Sequence, residues 1–465
     1  MRATYVAPRA AEYAAPGGPW DVPTLHALLG GEPELAGGLR AAGVERGDVV
    51  AWQAPNVPVV PRLYRACWQL GAVAAPLHHL ATASDIDRML DTVQPKLFIP
   101  ADELTERTAQ LEQSGSIDAS DARPEDLAAV LFTAGSSGEP KGVLHTHRSL
   151  AHKTLTMVGA HRLTNADVVL MPAPLAHISG LLNGVLVAGA AGMRTILMPK
   201  WDPEEALRII DREGVTFMIG PPTFFVGLMD APGFATERVR TLRLVSSGGA
   251  GVTPAFVETA TERLGALVKR SYGSTEAPTL TTSVAGDPPE RARETDGRVV
   301  GAAELRVATD GELLARGPEL FAGYVDSEQT EQAVADGWFR TGDLATIDDG
   351  WLTIVGRKKD VIIRGGENIA AAEVERVLEA HPAVRQAVAV GYPDPRLGER
   401  VCAVVVTDAP FELADCRDWF ASQGVARFKT PERVVCVASL PVLGAGKVDR
   451  AAVRELVVAG LTETP

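Results

Sequence analysis

Short apolar runs alternate with amphipathic helical patterns along the first hundred residues, and no hairpin turn joins one strand to the next. Leu35 to Ala42 has the pattern of a helix, Val49 to Trp52 of a strand, Arg62 to Leu70 of a helix and Ala72 to Leu77 of a strand. Ser84 to Val93 follows as a helix with Ile86, Met89, Leu90 and Val93 on one face, and Lys96 to Ile99 as a strand. Strands joined through helices must run parallel, so a largely parallel α/β sheet is expected. Further along, Val168 to Met171, Thr195 to Met198, Phe217 to Ile219 and Leu242 to Ser246 continue the pattern. The last two end in Gly220-Pro221-Pro222 and Ser247-Gly248-Gly249. In open α/β sheets, ligands gather where strands end in this way.

After about Thr282 the pattern changes. Val299 to Val307, Gly311 to Arg316 and Trp351 to Val355 alternate apolar and polar residues between turns, as in a small antiparallel barrel. Past Arg357 a compact α+β unit is expected. Its helices are Ala371 to Glu379 and Leu413 to Ser422, and its strands Val384 to Val390, Val401 to Val406 and Arg433 to Val437. The expected division is a large domain over 1–357 and a small mobile domain over 358–465. A chain of 465 residues is long enough for two cores. Residues Met1 to Trp20, rich in Ala, Pro and Gly, are expected to form a loosely packed lead-in.

Composition narrows the function classes. A formal net charge of −14 argues against wholesale binding to nucleic acid. The N-terminus lacks an apolar core of signal-peptide length and no uninterrupted apolar run reaches transmembrane length, so the expectation is a cytoplasmic enzyme without integral membrane association, as monomer or homodimer. Cys67, Cys402, Cys416 and Cys436 form no Cys-x-x-Cys pair and are expected as buried free thiols.

The stretch Leu131 to His147, LFTAGSSGEPKGVLHTH, breaks a buried strand with a loop of glycines and hydroxyls and then resumes as a strand. Backbone N–H groups turned to one point, with Lys141 beside them, suit a phosphate. A plain Gly/Ser surface turn is the alternative. A Walker A loop is excluded, because Lys141 is followed by Gly142 and stands three residues past Gly138.

Four further stretches accompany that loop. They are Tyr272-Gly273-Ser274-Thr275-Glu276, Trp338 to Asp343, Gly356 to Asp360 and Gly446-Lys447-Val448-Asp449-Arg450. In this order and at these separations the five resemble the adenylate-forming superfamily of acyl-CoA synthetases, luciferases and nonribosomal peptide adenylation domains. Gly365-Gly366-Glu367-Asn368 adds a likeness to CoA ligases for medium-chain, alicyclic or aryl acids.

The resemblance implies roles for individual residues. Thr133, Ser136, Ser137, Gly138 and Lys141 would hold the β- and γ-phosphates of ATP. Tyr272 would pack on adenine, with Gly248, Gly249 and Gly273 letting the nucleotide approach the backbone. Thr275 and Glu276 would position Mg²⁺, and Asp343 and Arg357 would hold the ribose. Lys447 would bridge the substrate carboxylate and the α-phosphate, with His177 beside the carboxylate and Glu276 completing the catalytic set. Lys359 would be the hinge, and Gly365 and Gly366 would admit the pantetheine arm of coenzyme A.

The implied activity converts a carboxylic acid and MgATP to acyl-AMP and pyrophosphate, then moves the acyl group to CoA. Three alternatives stand beside it: loading of an acyl carrier protein or amine, competence in one half-reaction alone, and a nucleotide-binding pseudoenzyme. Pocket walls are expected from His177 to Asn183, Pro222 to Gly227, Ser247 to Gly251 and Gly273 to Leu280. They carry no acidic residue placed for an amino group, which favours a neutral fatty, alicyclic or aromatic acid. Four departures from the family pattern bear on the pocket. Ala134 replaces a common serine, Ala176 replaces a frequent bulky residue, and the segments Glu103 to Asp126 and Gly286 to Glu312 are short.

Overall fold

Three sheets organise the computed structural model, which describes residues 1, 5, 7–134, 140–443 and 446–462. The first sheet runs, in spatial order, Leu97–Ile99, Val49–Ala54, Val73–His78, Leu127–Ala134, Pro140–Thr146. Its first four strands are parallel. The fifth turns back antiparallel to the fourth, with Thr133 opposite Lys141.

The second sheet has twelve strands. Leu267–Tyr272, Leu244–Gly248, Phe217–Gly220, Val168–Met171 and Arg194–Leu197 form its parallel part. Hydrogen bonding then continues through the antiparallel strands Thr281–Thr282, Arg298–Val299, Trp351–Arg357, Trp338–Asp348, Glu312–Arg316 and Glu304–Val307. The strands expected as an antiparallel unit are therefore antiparallel, and they extend the edge of the parallel ones. The third sheet, Glu367–Ala370, Val361–Arg364, Gly398–Thr407, Val384–Asp394, with Arg433–Cys436 parallel to Gly398–Thr407, lies entirely beyond Arg357.

Local chemistry explains why the elements start and stop where they do. The helix Pro203–Glu213 opens on Asp202, whose carboxylate accepts the Glu205 N–H at 2.9 Å, has proline in its first turn and ends at Gly214. Ala206, Leu207, Ile209 and Ile210 form its buried face, packed in a core with Met218, Val245 and Leu264. The first sheet is buried around Trp52, Tyr64 and Trp68, and the third around Ile369, Leu378, Val405 and Phe420. No helix among the described residues is long and apolar enough to cross a membrane.

Two expectations need correction. The N-terminal lead-in is tied down. The Tyr5 N–H donates to the Ala322 carbonyl at 3.0 Å, Tyr13 is buried, and Trp20 Nε1 donates to the Pro318 carbonyl at 2.8 Å beneath the Arg148 guanidinium. Its aromatic residues supply the contacts that an Ala/Pro/Gly composition concealed. Among the cysteines, Cys67, Cys402 and Cys416 are buried free thiols, but Cys436 is exposed. It ends the strand Arg433–Cys436, which pairs on one side only.

Candidate active site

Parallel strands of the second sheet end together. Gly220 lies opposite Ser247, Ser247 opposite Arg270, and Gly248 opposite Ser271. The register places three glycine-containing turns side by side at the carboxyl edge: Gly220-Pro221-Pro222, Ser247-Gly248-Gly249 and Tyr272-Gly273. Side chains are excluded from this edge at two points. A Cβ on Gly248 would stand 2.3 Å from the Ser271 carbonyl oxygen, and one on Gly273 would stand 2.3 Å from the Thr279 nitrogen.

From Tyr272 the antiparallel strands supply a polar wall. The Tyr272 phenol donates to Asp343 Oδ2 at 2.7 Å, and Arg357 Nε pairs with Asp343 Oδ1 at 3.1 Å. Asp343 and Arg357 are direct register partners, so the sheet itself fixes their separation. Burial raises the Asp343 carboxyl above its ordinary pKa, against the opposing pull of Arg357 and the Tyr272 hydrogen bond. Burial also raises the Tyr272 phenol well above its usual range, and the Asp343 charge adds to the shift.

Lys141 and Glu276 meet across Tyr324. The Tyr324 hydroxyl donates to Glu276 Oε1 at 2.7 Å, and Lys141 Nζ lies 5.3 Å from the centre of the Tyr324 ring. Thr275 is buried beside them. Its carbonyl accepts from Nε2 of the buried His145 at 2.9 Å, and burial lowers the His145 pKa to about 4. Of the residues expected to hold phosphates, Thr133 and Lys141 face each other across the hairpin, while Ser136, Ser137 and Gly138 lie outside the described residues.

Among the described residues no three His, Cys, Asp or Glu side chains gather into a metal-binding group. The cluster offers one carboxylate, Glu276, and one buried hydroxyl, Thr275. That donor set fits Mg²⁺, which keeps several waters and is held by one or two carboxylates together with substrate phosphates.

Lys447 arrives from the other side. An added Cβ on Gly249, whose φ is +76°, would lie 3.2 Å from Lys447 Cε, so the lysine stem rests on the glycine backbone. Burial lowers the Lys447 pKa, and Arg357 lowers it further. Asp343 and Glu276 act in the opposite direction.

His177 completes this side of the cluster. Its loop is held from the first sheet: Asn56 Nδ2 donates to the Ala173 carbonyl at 2.9 Å, Asn56 Oδ1 accepts from the Leu175 N–H at 2.8 Å, and the Tyr64 hydroxyl donates to the Leu175 carbonyl at 2.8 Å. Burial lowers the His177 pKa to about 3, and Lys447 and His78 contribute in the same direction. The imidazole is therefore neutral at pH 7 and can donate or accept a proton in a hydrogen bond without adding charge.

Three expected residues lie apart from this cluster. Gly365 and Gly366 form the two-residue turn between Val361–Arg364 and Glu367–Ala370, with φ of +59° and +90°, and both are exposed. Two successive left-handed residues are what such a hairpin demands. Lys359 is exposed in the short helical turn Lys358–Asp360. The sequence reading passed over Tyr324, His145 and Asn56. Asn56 carried a faint signal as the polar residue after Pro55 at a strand end. Tyr324 carried none, since long-range pairing of its segment with Gly142–Leu144, including the antiparallel bridge Val143–Tyr324, is what brings it to Lys141.

Comparison with known proteins matches this architecture. The model of the AMP-binding enzyme family covers residues 33–325, and that of the AMP-binding enzyme C-terminal domain covers 373–447. The chain belongs to the AMP-binding enzyme family. It is 33% identical to a medium-chain fatty-acid–CoA ligase of Escherichia coli, over 92% of this chain and 85% of that protein. It is also 33% identical to a feruloyl-CoA synthase of Amycolatopsis, over 90% of this chain and 91% of that one. Among solved structures, ATP-bound MatB of Rhodopseudomonas palustris superposes with a TM-score of 0.83 at 30% identity, covering 93% of this chain and 92% of MatB. This AMP-binding enzyme accordingly has the large and small α/β parts of the adenylate-forming enzymes.

Proposed function

We propose that the protein is an AMP-forming carboxylate–CoA ligase that activates a neutral carboxylic acid. One observation carries the reading of the site. Lys447 rests on Gly249 at the carboxyl edge of the second sheet, where the charges of Arg357, Asp343 and Glu276 act on it. An ammonium enclosed at the carboxyl edge of a sheet is suited to bring two anions together, here the substrate carboxylate and the α-phosphate of ATP.

Within this reading, Thr133 and Lys141 bind the outer phosphates together with Ser136, Ser137 and Gly138. Tyr272, Gly248, Gly249 and Gly273 form the adenine face, and Asp343 and Arg357 bind the ribose hydroxyls. His177 orients the attacking carboxylate while staying uncharged. Thr275 and Glu276 would hold Mg²⁺, which when bound offsets the negative charge of the phosphates. The carboxylate oxygen attacks the α-phosphorus, and pyrophosphate leaves along Lys141. The portion 358–465 then turns about Lys359, withdrawing Lys447 and presenting Gly365 and Gly366. The CoA sulfur attacks the acyl carbon of the mixed anhydride, loses its proton and expels AMP.

The reading of a neutral acid rests on the expected pocket walls, His177 to Asn183, Pro222 to Gly227, Ser247 to Gly251 and Gly273 to Leu280, which carry no acidic residue placed for an amino group. The test is pyrophosphate release across a panel of fatty, aryl and alicyclic acids, with and without CoA. Acid-dependent pyrophosphate with thioester formed only when CoA is present is the expected result. Pyrophosphate without thioester would assign the second step to another acceptor, such as a carrier protein or amine, and ATP binding without pyrophosphate would overturn the reading.

A further inference from the structure

The turn that carries Lys447 is seated on a helix of the large part. The Leu443 N–H donates to the Lys447 carbonyl at 2.7 Å, the Gly446 N–H to the Leu443 carbonyl at 2.8 Å, and Val442 pairs with Val448 in an antiparallel bridge. These bonds close the turn on itself but leave its direction unset. Direction comes from the helix Pro222–Asp230. Thr223 Oγ1, in the first turn of that helix, donates to the Gly446 carbonyl at 2.5 Å.

Beside that bond Gly446 lies flat on an aromatic ring. A Cβ on Gly446 would stand 2.5 Å from Phe224 Cε1, and Gly446 has φ +77°, so a side chain is excluded both by space and by backbone conformation. Phe224 is itself buried and stacked on Trp201, with ring centres 4.6 Å apart and planes 25° from parallel, so the surface meeting Gly446 is rigid. The same helix meets the small part again at its far end, where Asp230 Oδ2 pairs with Arg385 Nη1 at 3.1 Å. That second contact is half-exposed and weak alone. Both ends of Pro222–Asp230 thus touch the small part.

We infer that Thr223 is a positioning residue for the adenylation half-reaction, holding Gly446 on Phe224 so that Lys447 is set over Gly249. The inference rests on the assignment of Lys447 to the first step. Thr223 acts through Lys447, and it holds the turn only while the two parts are in the present arrangement. The thioester-forming step, for which Lys447 is withdrawn, does not use the seat.

Two variants on opposite sides of the contact test this. Thr223→Val keeps the shape and loses the donor, and Gly446→Ala places a methyl against Phe224. Each is assayed for pyrophosphate release with the best-used acid among octanoate, benzoate and cyclohexanecarboxylate. Each is also assayed for thioester formation from the matching acyl adenylate and CoA. Thr223→Val should slow the first reaction about fivefold to tenfold, as for loss of one neutral hydrogen bond, with the second unchanged. Gly446→Ala should show the same split more strongly, and Thr223→Ser should restore the rate. Equal losses in both reactions for both variants, or a first reaction at the wild-type rate, would overturn the inference. Lys447→Ala, run in parallel, separates the two levels of failure. If it too lost both reactions equally, the assignment of Lys447 would fall and the seat with it. If it lost only the first while Thr223→Val and Gly446→Ala lost neither, the seat alone would fall.

Discussion

Tyr324 joins two charged groups that lie far apart in the chain. Its hydroxyl fixes one oxygen of Glu276, and its ring face lies under the Lys141 ammonium. Replacing it by phenylalanine keeps the ring and its edge contact with Phe321 but frees Glu276 to turn. A hydrogen bond to a charged group contributes about 1.5–3 kcal/mol, so Tyr324→Phe should lower kcat/KM for MgATP by at least about tenfold. The melting temperature should change little, and an unchanged kcat/KM would mean that Glu276 is oriented by other contacts. Lys141, Glu276, Asp343, Arg357 and Lys447 were singled out by the resemblance of five motifs, taken together, to a known family; read singly, each would pass for a turn or surface residue. Tyr324 and Asn56 were not singled out, because a residue that acts by one hydrogen bond to a neighbour leaves no periodicity behind.

At the scale of elements, regular alternation made strands and amphipathic helices legible, including Ala371–Glu379 and Leu413–Ser422 to the residue. The helix His147–His161 was missed for a physical reason. Its buried residues include His147, Ser149, Lys153, Thr154 and His161 beside Leu150, Ala151 and Met157, so polar residues break up the apolar stripe of the inward face. Lys153 is fully buried, donates to the carbonyls of Thr279 and Val300 at 3.0 and 3.1 Å, and pairs with the equally buried Glu319 at 3.3 Å. Thr279, held in this way, has the unusual φ of +37° and packs its nitrogen against Gly273. The helix therefore supports the Gly273 edge of the site through one cation. Lys153→Met would leave Glu319 buried without a partner and should destabilise the large part by about 3–5 kcal/mol, measured by urea unfolding. Adding Glu319→Gln should recover part of that loss. If the single variant unfolded at the wild-type urea concentration, the pair would not be holding the segment.

At the scale of the whole molecule, the contact between the two parts contains a carboxyl group whose ionisation opposes it. Glu379, on the helix Ala371–Glu379, accepts the Ala387 N–H at 3.2 Å, and Thr253 of the large part favours its ionised form. The charged groups facing it are Glu375, which repels its negative form, and Arg450, which attracts it. Arg450 is largely engaged by Glu375 at 2.6 Å, with Asp360 at 3.7 Å. Burial, reinforced by Glu375, pushes the Glu379 carboxyl up to about 8. Where separation of the parts exposes Glu379 to water, its carboxyl returns toward the ordinary carboxylate pKa of about 4.3. The docked arrangement thus binds a proton that the separated one releases. Docking is fully favoured below the ordinary carboxylate pKa, weakens by at most about tenfold per pH unit as pH rises, and levels off above about 8. Because the docked arrangement places Lys447, the rate of pyrophosphate release relative to thioester formation from supplied acyl adenylate should fall between pH 6 and 8. Glu379→Gln cannot titrate and keeps the hydrogen-bonding shape, so it should flatten that slope. Parallel pH profiles for wild type and Glu379→Gln would place the proton elsewhere.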